Sequence, residues 1–105
     1  MTIDELKLLD RITAEVTQES IDKAGASCRN CPIAKALETS LGLTQSDISV
    51  EVGWSYVYMS VRRPYRTVKF RHTDESQEFM RTFDEQGRSA VKPSVFVFKR
   101  TPNND

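Results

Sequence analysis

Apolar positions in this chain change rhythm several times, and each change predicts an element. Ile3, Leu6 and Leu9 fall at helical spacing, which predicts a short amphipathic helix ahead of Ile12. Ile12, Ala14 and Val16 then alternate with Thr13, Glu15 and Thr17, the period of a half-buried strand. Thr17 is placed to cap a brief helix from Gln18 to Ala24, with Gly25 ending it. The clearest helix starts at Pro32, where a missing N–H costs nothing. Ile33, Leu37 and Leu41, with Ala34 and Ala36 beside them, give it one apolar face, and Gly42 stops it.

A β-rich region follows, with a conflict of parity inside it. Ile48, Val50 and Val52 share parity with Trp54, Tyr56 and Tyr58, whereas Val57, Met59 and Val61 take the opposite one. A single continuous strand would be apolar on both faces. Gly53 offers two resolutions, a bulge that flips the register or a tight hairpin. Arg62-Arg63-Pro64-Tyr65 reads as a turn, and Val68 and Phe70 mark a strand that pairs back. Asp74 with Gln77 reads as a capping box before a helix carrying Phe79, Met80 and Phe83, with Gly87 as its stop. After Pro93, Ser94 to Phe98 is a last strand.

These elements predict an α+β fold: an antiparallel sheet of about four strands with helices mainly on one face, in the ferredoxin-like βαββαβ order. The 105 residues suit one domain. Residues 1–11 form its N-terminal amphipathic segment, 12–100 its body and 101–105 a frayed polar tail. Fifteen basic and fifteen acidic residues cancel, so attraction to nucleic acid or an anionic membrane has to be local. No leader-like or membrane-spanning run is seen, and two cysteines then point to a reducing cytoplasm rather than a structural disulfide.

Four groups of residues carry candidate chemistry. Cys28 and Cys31, three apart ahead of Pro32, supply two zinc ligands where a structural site needs four. His72, the lone histidine, would be a third, or two chains would share one zinc across a dimer. A helix N-terminus also lowers a thiol pKa and permits redox chemistry. The favoured reading is that both cysteines are small buried residues at the helix start and that no cofactor is bound. His72 itself reads as structural, because nothing in the sequence identifies a nucleophile for it to serve. The third group is a basic hairpin: Arg62, Arg63, Arg66, Lys69 and Arg71 with Tyr65 and Phe70, and no acid between Val52 and Thr73. Its cations would pair with Asp74, Glu75, Glu78, Asp84 and Glu85, or meet phosphates or an acidic protein. The element order matches the RNA-recognition fold, yet Arg66 to Arg71 lacks the glycine of that family's aromatic motif. The fourth group is the row Trp54, Tyr56 and Tyr58, which would be core, a self-association surface or a partner-binding face.

The sequence Thr17-Gln18-Glu19-Ser20-Ile21-Asp22, then Cys28-x-x-Cys31-Pro32-Ile33-Ala34-x-Ala36-Leu37, is followed by a Val57-Tyr58 strand, a helix with Phe79-Met80-Arg81-Thr82-Phe83-Asp84, and Pro93. Over Ile12 to Phe98 this pattern resembles a set of small bacteriophage proteins of unassigned activity that share a strand and a Cys-x-x-Cys-Pro-Ile-Ala helix. The resemblance implies a phage accessory protein acting in the host cytoplasm. By association with such proteins, it would bind and inhibit a host or defence-system protein without catalysis. The expected contact surface is Trp54, Tyr56, Tyr58, Arg62, Arg63, Tyr65, Arg66, Lys69 and Arg71. Alternatives are a nucleic-acid-binding module using hairpin 62–71, and a zinc- or thiol-dependent protein.

Overall fold

The computed structural model describes residues 1–25, 27–62 and 64–102. In chain order the elements are α1 (Ile3–Lys7), β1 (Arg11–Val16), α2 (Gln18–Lys23), α3 (Pro32–Ser40), β2 (Ser49–Val52), β3 (Tyr56–Val61), β4 (Arg66–Arg71), α4 (Asp74–Gln86), a 3-10 turn (Arg88–Ala90) and β5 (Ser94–Arg100). Among the described residues five strands form one antiparallel sheet in the order β1-β5-β4-β3-β2. The architecture is therefore α+β, but the sheet has five strands rather than four, and the ferredoxin-like order is not found.

The extra strand comes from Gly53. The run from Ser49 to Val61 folds into a hairpin, not a bulged strand: Val52 pairs with Val57, and the Gly53 N–H donates to Tyr56 O at 2.8 Å. Four residues lie between Val52 and Val57, which brings both parities to one side. Val50, Val52, Val57 and Met59 all point into the core. A Cβ on Gly53 would lie 3.2 Å from Tyr56 O and 3.3 Å from the Tyr58 ring, so the turn closes tightly there.

Helix starts are set by local side chains. Thr2, Thr17 and Thr73 each accept from the N–H three residues on and complete a capping box. For α4 the box is Thr73 with Ser76, one residue earlier than the Asp74–Gln77 pair. Asp74 lies instead in the first turn, where its charge suits the helix dipole. Gly42 (φ 65°) and Gly87 (φ 88°) take left-handed conformations just past α3 and at the end of α4.

Ile12, Ala14, Phe96, Phe98, Val68 and Phe70 turn to the same side as the hairpin valines. Onto that side pack Ile33 and Leu37 of α3, Phe79 and Phe83 of α4, and Ile3 and Leu6 of α1. The N-terminal segment is thus part of the core. At the other end the Thr101 N–H donates to Lys69 O at 2.9 Å, which extends the β4–β5 pairing into the expected tail. No helix among the described residues is long and apolar enough to cross a membrane.

Candidate functional site

Strand pairing places the remaining side chains on the opposite face of the sheet. Arg11 pairs with Lys99, Lys99 with Arg71, and Arg71 with Tyr56. One lateral row of three cations and a tyrosine therefore crosses four strands, a span of about 14 Å at ordinary strand spacing. Beside it Tyr58 pairs with Lys69 on one side and Glu51 on the other. Arg11, Arg71 and Lys99 are exposed, while Tyr56, Tyr58 and Lys69 are half-buried. Val95 and Val97 of β5 continue this face as exposed apolar groups, 64% and 39% accessible.

Tyr56 is already dressed by the cations. Lys69 Nζ lies 5.3 Å and the Arg71 guanidinium 5.8 Å from the Tyr56 ring centre, and the Tyr58 ring sits 6.1 Å from it, tilted by 59°. Such contacts hold long side chains in place. None of the ion pairs among the described residues involves Arg11, Lys69, Arg71 or Lys99.

The other expected contact residues go elsewhere. Trp54 sits at the tip of the β2–β3 turn, half-exposed, with Arg81 of α4 5.3 Å over its ring and Gln77 Nε2 donating to its carbonyl at 2.9 Å. The aromatic row is therefore split. Arg66 has core-side parity and reaches Asp4 of α1, whose carboxyl it holds below the usual range by hydrogen bond and charge. Arg62 and Tyr65 line a recess with Arg29, Asp47, Ser49 and Glu51 at the far end of the hairpin. Arg63 lies outside the described residues. No ion pair among the described residues joins the basic hairpin to α4; Glu78 pairs within α4, with Arg81.

Cys31 is the N-cap of α3, accepting from the Ala34 N–H at 3.5 Å, and burial pushes its thiol up to about 11. Cys28 is exposed rather than packed beneath the helix; its thiol faces Glu51 Oε1 at 3.5 Å. Local desolvation, then Glu51, raise its pKa as well. Both cysteines line a cavity of about 180 Å³ together with Val52, Phe79 and Phe83. His72 is tied down at both nitrogens, with Nδ1 2.8 Å from Ser76 Oγ and Nε2 2.9 Å from Gly53 O. Its ring centre lies 5.2 Å from that of Phe98 with the planes nearly perpendicular, and burial lowers its pKa. Among the described residues no group of three or more His, Cys, Asp and Glu side chains is gathered to hold a metal ion.

Two cations of the open face, Arg11 and Lys99, escape sequence reasoning because they flank the strand cores Ile12–Val16 and Ser94–Phe98. The signal that could have found them was parity: each is one residue out of phase with a buried neighbour, Ile12 or Phe98. In comparison with known proteins, no family model, curated protein or solved structure matches the chain.

Proposed function

We propose that this protein acts without catalysis, by binding a protein partner through the open face of its sheet. The observation that carries this reading is the convergence of Tyr56, Tyr58, Lys69, Arg71, Arg11 and Lys99 on one face beside exposed Val95 and Val97. Tyrosine and arginine are residue types that dominate interface energetics, and the valines supply apolar area that water gives up readily. The cations call for an acidic partner surface. The resemblance to small phage proteins supports a partner in a bacterial host, a host or defence-system protein that the contact would inhibit. Burial at Cys31, and desolvation with the Glu51 carboxylate at Cys28, disfavour the thiolates that redox chemistry would use.

A photo-crosslinking residue at position 58, used in bacterial cells, tests this. A single partner adduct that disappears in Arg71→Glu/Lys99→Glu supports the face. Adducts unchanged by that double substitution would count against it.

A nucleic-acid reading is favoured by the row Arg11–Lys99–Arg71, which could track a phosphate backbone. It is weakened by the placement of Lys69 and Arg71 over Tyr56, where a base would have to stack. Anisotropy with labelled dT20 and rU20 between 50 and 200 mM salt separates the two (about 50-fold loss expected if the four cations of the face each meet a phosphate of a single strand). Salt-insensitive or absent binding removes the nucleic-acid reading.

A further inference from the structure

The outer edge of the sheet at β1 carries a second surface, which shares Arg11 with the open face. Hydrogen-bonding direction alternates along an antiparallel strand. Asp10 O accepts from the Arg100 N–H at 2.8 Å, so the even residues of β1 turn their backbone groups toward β5. The N–H and C=O groups of Arg11, Thr13 and Glu15 therefore point out of the sheet. The Glu15 N–H reaches the Ser40 hydroxyl of α3 at a long 3.4 Å. Arg11, Thr13 and Glu15 are all exposed. Such an edge is a template for another strand.

The side chains say which strand fits. If β1 meets a second β1 antiparallel with Thr13 opposite Thr13, then Arg11 of each chain faces Glu15 of the other. Two opposite-charge pairs flank a threonine pair on the open face. On the core side Ile12 faces Ala14, so apolar meets apolar. The register is two-fold symmetric, as a closed dimer requires. A one-residue slip would break the charge pairs and invert the faces.

We propose that the protein self-associates through β1 into a two-fold dimer with a continuous ten-stranded sheet. Pairing exchanges the long Ser40 contact at Glu15 for a strand carbonyl. It also joins the two open faces into one surface, with the Lys99–Arg71 cations of each copy on either side of the seam. This inference does not depend on what that surface binds.

Sedimentation velocity of the full chain over a concentration series is the test, with circular dichroism as the check on folding. Wild type is expected to dimerise. Arg11→Glu sets a carboxylate against Glu15 at both ends of the seam and is expected to weaken the dimer by about tenfold, through the loss of two favourable cross-strand pairs. Glu15→Arg is expected to do the same. Arg11→Glu/Glu15→Arg restores both pairs with reversed sign and is expected to restore the dimer. In wild type the Thr13 amide should exchange more slowly as concentration rises. A monomeric wild type overturns the proposal. So does a dimer insensitive to the single changes, or a double variant that fails to recover while folded.

Discussion

Cys31 sits where two effects oppose one another. The N-terminus of α3 favours a thiolate, and burial favours the neutral thiol. Burial wins, and the thiol is pushed up to about 11. At pH 8 only about 0.1% of such a group is thiolate, the fraction set by a gap of three pH units. Iodoacetamide at pH 8 should therefore modify exposed Cys28 well before Cys31, read by peptide mass spectrometry. Glu51→Gln should speed Cys28 further, because it removes the carboxylate that opposes the thiolate. Equal rates at the two sites would contradict this assignment. His72 gives a pH dependence with a definite sign. Its folded pKa is depressed by burial below the ordinary value near 6.5, so the unfolded chain takes up the proton first as pH falls. The stabilisation is complete above about pH 6.5 and is lost as pH drops through that value toward the folded pKa. His72 is the only histidine, and carboxylates titrate lower. A fall in Tm between pH 7.5 and 5.5 that His72→Gln flattens is the expected result.

At the scale of elements, hydroxyl caps decide where helices begin. Thr73 accepts from the Ser76 N–H at 3.2 Å, while Ser76 Oγ accepts from the Thr73 N–H at 3.0 Å. Thr73→Ala should cost about 1 kcal/mol in urea denaturation, the usual worth of such a cap. Asp74→Ala removes only a first-turn charge and should cost less, roughly 0.3–1 kcal/mol; a larger loss at Asp74 would show that the cap had been misplaced. Most elements were legible because their signals are local: Thr17 before α2, Pro32 at the start of α3, Gly42 and Gly87 just past helices. The Gly53 region was not, because a bulge and a hairpin both satisfy the pattern from Ile48 to Val61. What distinguishes them is distant in sequence. His72 Nε2 reaches Gly53 O, the His72 N–H donates to Ser55 O, and Gln77 donates to Trp54 O. The open face was half-legible for the same reason. Lys69 and Arg71 could be read as one alternating run, but Arg11 and Lys99 join them only through pairings 88 and 28 residues apart in sequence (Arg11 with Lys99, Lys99 with Arg71).

Over the whole molecule, the sheet is a pair of ladders with a narrow join. β1 and β5 pair over six positions, β3 and β4 over six, but β4 and β5 over only two, Phe70 with Arg100 and Arg71 with Lys99, prolonged by one bond from the Thr101 N–H to Lys69 O. Hydrogen bonding at that join is too sparse to make the ladders one unit, so the apolar layer has to do it. α3 packs against both β1 and β2, the outermost strands, and α1 against β3 and β4. Leu37 of α3 is fully buried in this layer. Leu37→Ala should cost about 2–5 kcal/mol, a large share of the roughly 5–15 kcal/mol that holds an ordinary domain. The loss should fall on both ladders together. Trp54, the only tryptophan, reports on the β2–β3 turn by fluorescence, and far-UV circular dichroism reports on the whole chain. Their urea transitions should coincide in wild type and shift together in Leu37→Ala. Were the Trp54 signal to melt first, the two-position join rather than α3 would set the coupling, and the ladders would unfold as separate units.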